Sequence, residues 1–291
     1  MSKHFNKINY KRLKSYLLSS FAIGALGLVC LQVPDALSQE TTPSTTGNIG
    51  LLQTAPIRPS TFDASAYVEG GITGDILTKD KPNWNSQYLS VLLPFQANGL
   101  FFAQVDNVNR FSLSDQDINL LYAYPTQSGV INVMGSYSSS ANFLPRTSEG
   151  FEWDGHLPQD FGYILGATQK QYVGFNSDTY SLGAEKYFGN YRVAYTALIS
   201  NIDQTQTSFE SKFQFQWFGS NNNRLGFTYV NGMEPNLIAI GNLESIHSEY
   251  VQVDGLYWVN NKVGITAALW HGLIGDYYQR NGAQIGVRAL F

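Results

Sequence analysis

The last eleven residues, Asn281 to Phe291 (NGAQIGVRALF), restrict the fold more than any other stretch. Ala283, Ile285, Val287, Ala289 and Phe291 fall on one face and Gly282, Gln284, Gly286 and Arg288 on the other, the two-residue period of a strand lying between two different environments. An apolar outer face, a polar inner face and a terminal aromatic are the features of the closing strand of an outer-membrane barrel. Gln284, Gly286, Ala289 and Phe291 also resemble the C-terminal signal read by the barrel-insertion machinery, with Ala289 smaller than usual at its position.

Composition points the same way. Only 14% of the residues are charged, against about a quarter in soluble domains, while 14% are aromatic and 27 are glycine. A charge-poor, aromatic-rich surface suits neither plain water nor an ordinary globular core. The net charge of −4, with the basic residues clustered only at the start, excludes a nucleic-acid partner.

That basic cluster (Lys3, Lys7, Lys11, Arg12, Lys14) precedes an apolar run from about Tyr16 to Val33, and Ala36-Leu37-Ser38 then places small residues before Gln39. Residues 1–38 read as a secretory signal peptide cleaved near Ser38, because the run is short for a bilayer span and is interrupted by Ser19, Ser20 and glycine. Val29 before Cys30 argues against lipid attachment, so the mature chain would hold no cysteine. A secreted chain without disulfides needs another source of stability, and a hydrogen-bonded cylinder in lipid is one. Residues 39–61 are rich in Thr, Ser and Pro and read as a periplasmic linker. Residues 62–291 are the expected barrel.

From residue 62 onward the chain repeats one module: about ten alternating residues, a short turn, ten more, a longer loop. The contrast is greatest at Ser208 to Trp217, where Phe209, Phe213, Phe215 and Trp217 oppose Glu210, Lys212, Gln214 and Gln216. Val193, Tyr195, Ala197 and Ile199 oppose Arg192, Thr196 and Ser200 in the same way, and Ile118, Leu120 and Tyr122 oppose Asp117 and Asn119. Segments 85–94 and 100–110 alternate poorly, and their faces stay open at this stage. Short turns fall near 96–99, 125–129, 157–160, 189–190, 219–222 and 260–262. With the last strand running toward the periplasm, every one of these lies on the periplasmic side and the longer loops lie outside. The pattern predicts an all-β, antiparallel transmembrane β-barrel of about 14 strands, or 12 if the weak segment 147–156 and one neighbour are not strands.

The stretch Tyr163 to Ser200, with its GAEKYFGNYRVAY core, resembles the YaiO family of outer-membrane barrels, as does Ser136 to Arg146 (SYSSSANFLPR) with its Phe-x-Pro-Arg at a strand end. The similarity runs from about Ala64 to Phe291. It implies residence in the outer membrane and a link to exported surface glycan. Some larger relatives add a helical repeat scaffold in the periplasm, for which the linker here is too short.

Candidate chemistry is sparse. His156, His247 and His271 follow the signal peptide. A lipid-modifying enzyme of acyltransferase or phospholipase type would use His247, flanked by Ser245 and Ser248, but adjacent strand residues point to opposite faces and Ser248 is ill placed for the His247 ring. Glu152, Asp154 and His156 alternate onto one face, as a metal site requires, yet such a trio beside a turn is more often a solvated edge. No catalytic residue, metal or cofactor is therefore assigned. The expected interior charges are Asp106, Arg110, Asp117, Glu152, Asp154, Lys170, Glu185, Arg192, Glu210, Lys212, Asp254 and Arg288, which form either an ion-pair network filling the barrel or the lining of a polar pathway. Pro235 to Ile246 is an unusually apolar loop that would fold inward as a plug, touch lipid at the rim, or extend two strands. Tyr257, Trp258, Trp217 and Phe188 suit an interfacial girdle. The reading is a monomeric, non-enzymatic pore or accessory to passage of surface polysaccharide or small polar solutes. Its expected partners are outer-membrane lipid and lipopolysaccharide, the barrel-assembly machinery and glycan-export components. A lipid enzyme and a secreted β-sandwich that binds carbohydrate are the rivals.

Overall fold

The computed structural model describes residues 65–291 apart from 96–98, 204–205 and 240–241, with side chains undescribed at 221, 234–239 and 242–244. The expected signal peptide and linker lie outside the described residues. Fourteen strands follow one another: β1 (Tyr67–Leu77), β2 (Trp84–Pro94), β3 (Leu100–Arg110), β4 (Leu113–Thr126), β5 (Gly129–Ser138), β6 (Thr147–His156), β7 (Phe161–Gln171), β8 (Asn176–Phe188), β9 (Tyr191–Ile202), β10 (Gln206–Phe218), β11 (Arg224–Ala239), β12 (Asn242–Trp258), β13 (Val263–Ile274) and β14 (Tyr278–Leu290). Each pairs antiparallel with its neighbours in sequence, and β1 pairs with β14 from Tyr67↔Leu290 to Leu77↔Arg280. Closure leaves no strand with an unpaired edge, the condition for placing β structure in lipid. The weak segment 147–156 is a strand, so the count is fourteen rather than twelve, and a two-sheet sandwich is excluded.

Alternation sets the two faces. Outward lie Val68, Ile72 and Ile76 on β1, Leu89 on β2, Val105 on β3, Ile118 and Leu120 on β4, and Ile285, Val287 and Phe291 at the C-terminal end, all exposed. The five outward residues from Ala283 to Phe291 cover roughly 26 Å of strand, which at a tilt of about 40° gives an apolar band on the order of 20 Å tall. The faces that the sequence left open are now assigned. Trp84, Ser86, Tyr88, Ser90 and Leu92 of β2, and Leu100, Phe102, Gln104, Asp106, Val108 and Arg110 of β3, all point inward and are buried. The poor alternation has a simple cause: these two strands put apolar side chains on both faces near one end.

At the end where the chain terminates, the connections are short, as expected. At the opposite end, here the loop end, most are short as well. Phe111 and Ser112 alone join β3 to β4, both with positive φ (50° and 64°), the two-residue turn whose twist suits a hairpin. The expected long outer loops are largely continued strand, because ladder pairing satisfies backbone groups that a loop would leave to water. This corrects the plug reading of 235–246: on both sides of 240–241 the backbone pairs, Pro235 with Ser245 and Leu237 with Leu243. At the chain-terminus end, Gly99 has φ +108, and a Cβ there would lie 2.1 Å from the Ala123 carbonyl oxygen, so only glycine fits that turn. Tyr257, Trp217 and Phe188 face outward, but Trp258 alternates to the interior and does not belong to the girdle.

Candidate functional site: the barrel interior

The interior is organised in layers along β1–β5. Nearest the chain-terminus end, Tyr67, Leu92, Leu100, Phe102, Leu121, Ala123 and Val130 pack into an apolar layer inside the barrel, with Met134 and Leu290 against it. Three apolar clusters sit toward the loop end: Leu77, Trp84, Ile246, Ile274 and Tyr278 in one, Val108, Phe143 and Leu144 in a second, and Phe175 and Ile202, with Tyr172 against them, in a third. Polar groups occupy the space between. A cavity there, with about 80 Å³ open to water, is bordered by Glu69, Tyr88, Gln104, Gln252, Asp254 and Arg288 among others.

Four ion pairs hold this polar layer among the described residues: Arg288 to Glu69 (2.6 Å), Arg280 to Asp75 (2.5 Å), Arg224 to Asp254 (2.8 Å) and Arg192 to Glu185 (2.7 Å). Each joins strands next to one another, so they brace the wall from within. Tyr88 extends the first pair across three strand boundaries: its hydroxyl donates to Glu69 Oε1 (2.8 Å), Thr266 donates to the same oxygen (2.9 Å), and Gln284 donates to the Tyr88 oxygen (2.9 Å). Asp75 likewise accepts from Trp270 Nε1 at 2.6 Å. That contact depends on Gly282, where a Cβ would stand 2.2 Å from the Trp270 ring and 2.3 Å from Asp75 Oδ1.

Asp106 and Asp117 are direct cross-strand partners on β3 and β4, both buried. Their charge is met by amides rather than cations: Gln104 Nε2 donates to both oxygens of Asp106, and Asn119 Nδ2 bridges Asp106 Oδ2 (3.1 Å) and Asp117 Oδ2 (2.9 Å). Glu152, Asp154, Lys170, Glu210 and Lys212 fall on the inward face of their strands at intermediate exposure, with Asn132 donating to Asp154 at 2.9 Å. Glu185, Arg192, Asp254 and Arg288 enter the ion pairs already given. Sequence reasoning missed Glu69, Asp75, Asp115, Arg224 and Arg280. Asp75 and Arg280 lie two residues from strand ends, and the parity of β1, with Val68, Ile72 and Ile76 outside, is the signal that places Glu69 and Asp75 within.

The two halves of the wall differ. Along β2–β4 the inward Trp84, Tyr88, Leu92, Phe102, Arg110 and Asn119 are buried. Along β6–β8 Gly150, Gly166, Thr168, Thr179, Ser181 and Gly183 are of intermediate exposure, although Ile164, Glu185 and Tyr187 on the same strands are buried. The Thr179 and Ser200 hydroxyls meet at 2.8 Å.

The loop of residues 139–146 folds into the mouth. Ala141, Phe143, Leu144 and Pro145 are buried, Phe143 and Leu144 against the inward Val108 and the half-buried Leu113. Asp115, wholly buried on β4, holds it. Its Oδ1 accepts from the Asn142 backbone and side chain and its Oδ2 from the Phe143 and Leu144 amides, each at 2.9 Å. The Phe-x-Pro-Arg stretch therefore lies in this inward loop rather than at a strand end.

His156 is exposed at the end of β6, and His247 and His271 stand apart from this interior chemistry. His247 is exposed on the outward face while Ser248 is buried inward, so the two do not meet. His271 Nδ1 and Asn281 Oδ1 lie 2.8 Å apart on the outside. Among the described residues no group of three or more His, Cys, Asp or Glu side chains is placed to hold a metal ion.

Residues 66–237 match the model of the YaiO membrane beta barrel domain. The chain belongs to this family. It is an outer-membrane β-barrel, and its YaiO-type domain begins at β1 and reaches into β11. No curated protein matches the sequence. Among solved structures, a bacterial polysaccharide outer membrane secretin is 10% identical, with 78% of this chain and 98% of that chain covered and a TM-score of 0.49. Omp33 of Acinetobacter baumannii is 11% identical over 78% and 98%, with a TM-score of 0.46. An anion-selective porin from Comamonas acidovorans is 9% identical over 78% and 99%, with a TM-score of 0.43. Likenesses this distant transfer no residue roles to the YaiO barrel.

Proposed function

We propose that this barrel is a non-catalytic, passive pathway for small polar solutes across the outer membrane, its loop-end mouth restricted by residues 139–146. The observation that carries this reading is the strip of small hydroxyl and glycine side chains along β6–β8, partly exposed inside the barrel. Such a strip leaves room and offers hydrogen bonds to hydroxylated solutes, in keeping with an accessory role in surface-glycan passage. Asp106, Asp117, Lys170, Glu185, Arg192, Glu210, Lys212, Asp254 and Arg288 are then the charged lining, most of them neutralised by ion pairs or amides. The separation of His247 from Ser248 favours this reading over a lipid-modifying enzyme.

The remaining assignments belong to the same proposal. Residues 1–38 direct export and are removed near Ser38, residues 39–61 link to the barrel of 62–291, and Gln284, Gly286, Ala289 and Phe291 present the strand to the barrel-assembly machinery. The mature monomer sits with its loop end outward, among lipopolysaccharide. The test is conductance of the refolded protein in planar bilayers, wild type beside Asp115→Ala. Current steps that are small or rare in the wild type and larger or more frequent in the variant support the pathway; no steps in either protein overturn it.

A further inference from the structure

Beneath the inward loop lies a cation that the barrel itself does not neutralise. Arg110 closes the inward series of β3 and is only 5% exposed, yet among the described residues no carboxylate lies within ion-pair distance of it and its Nη1 has no hydrogen-bond partner. Burial of an unpaired charge is costly, so a guanidinium in this position calls for an anion. The two nearby carboxylates are engaged. Asp75 accepts from Arg280 Nε, Arg280 Nη2 and Trp270, and Asp115 accepts four bonds from Asn142, Phe143 and Leu144. A second buried donor stands beside Arg110: Trp84 Nε1, on a side chain 2% exposed, also has no acceptor.

The geometry narrows the ligand. Arg110 Cζ stands over the Trp84 ring, 4.7 Å from its centroid, and over that of Phe143 at 5.2 Å, so two aromatic rings border the guanidinium and the unpartnered Nη1 is what remains for recognition. Arg280 lies on the same indole, 5.0 Å from its centroid, which adds positive field without lending its own edge, already committed to Asp75. A guanidinium pairs best with a planar carboxylate, two parallel N–H···O bonds to two oxygens.

We propose that Arg110 and Trp84 form a binding position for the carboxylate of a small hydroxylated organic acid, such as a uronic acid, and that Phe143 of loop 139–146 covers it. The position deepens the solute-pathway reading and rests on it for its physiological meaning. Occupation requires the loop to leave, so ligand binding and loop closure compete. The residue at the top of the loop aids departure: Ala141 has φ +49, a conformation that disfavours any residue with a Cβ.

The experiment uses refolded full-length barrel in detergent, checked by heat-modifiable gel migration, with glucuronate and glucose as probes of near-equal size that differ by the carboxylate. Binding is read by tryptophan fluorescence and by calorimetry, neither of which needs conduction, so a closed or non-conducting barrel would not disguise the answer. Asp115→Ala, which frees the loop, is expected to bind glucuronate at least tenfold more tightly than glucose, and the wild type to show the same preference more weakly. Arg110→Gln on the Asp115→Ala background is expected to erase the preference, and Arg110→Lys, which keeps charge without the fork, to retain only part of it. Absence of a glucuronate preference in Asp115→Ala overturns the proposal, as does a preference that survives Arg110→Gln. Should Arg110→Gln fail to fold, an Arg110→Lys barrel that binds glucuronate as tightly as its parent overturns it equally.

Discussion

Replacing Asp115 with alanine removes the acceptor for four N–H groups at once: three consecutive backbone amides and the Asn142 side chain. A hydrogen bond to a charged acceptor contributes about 1.5–3 kcal/mol net and a neutral one about 1 kcal/mol. Allowing the freed amides to find water once the loop lifts, about 1 kcal/mol for each bond is a conservative figure, and the closed arrangement loses about 4 kcal/mol. Every 1.4 kcal/mol is a factor of ten, so the ratio of closed to open loop falls roughly 10³-fold. Amide hydrogen exchange across residues 139–146 reads this directly, because Asn142, Phe143 and Leu144 exchange only from the open form when opening is fast and reversible. The expected outcome is protection of these three amides in the wild type and its loss in Asp115→Ala, with the flanking β5 and β6 ladder unchanged. Asp115→Asn supplies an internal scale, because it keeps one acceptor oxygen of the two and must fall between the others, roughly one to two decades above wild type. Equal exchange in wild type and Asp115→Ala would refute the latch and the accounting behind it.

Other expectations follow from the same wall. Breaking the Arg192–Glu185 pair, whose side chains are 3% and 4% exposed, with Arg192→Gln strands a buried carboxylate and costs about 3–5 kcal/mol in urea unfolding; Arg192→Met with Glu185→Gln costs less than either single change, and additive losses would count against a coupled pair. Gly282→Ala forces the Trp270 indole off Asp75 and lowers the temperature of heat-modifiable migration, whereas the outward Ala283→Gly, which meets no such contact, leaves it within a few degrees. Ala141→Gly relieves the left-handed backbone and slows exchange of the 139–146 amides several-fold, from about 1 kcal/mol of strain; faster exchange would contradict that. Spin labels at Phe213 and Val253 sense lipid while labels at Gln214 and Asp254 sense water, and identical surroundings for the two sets would be incompatible with the barrel's faces.

The strand framework was legible because lipid outside and polar groups inside write themselves into every second residue. Ser208 to Trp217 and Asn281 to Phe291 disclose their faces unaided. The interior was legible in outline only: the charges on well-alternating strands were placed on the inward face by parity, whereas Asp75, Arg224 and Arg280 lie at or within two residues of a strand end, where the alternation is too short to show a face. Strand pairing runs farther toward the loop end than turn-forming residues suggest, since an antiparallel ladder continues wherever both partners are extended. Loop 139–146 escaped for a different reason. Nothing in Ser-Ala-Asn-Phe-Leu-Pro announces that a carboxylate some 27 residues earlier collects its amides, because that contact depends on the third dimension alone. The apolar stretch 235–246 drew attention as a plug on hydrophobicity, yet pairing across strands decided its backbone.

The unequal filling of the interior has a directional consequence. With tyrosine, tryptophan and arginine on the inward faces of β1–β3 and glycine, serine and threonine along β6–β8, the interior surface is uneven around the cylinder's axis. On the proposed pathway a solute would meet small hydroxyls along β6–β8 and ion-paired guanidinium groups on β9, β11 and β14, so its orientation would be set by which strands it faces rather than by a ring at one depth.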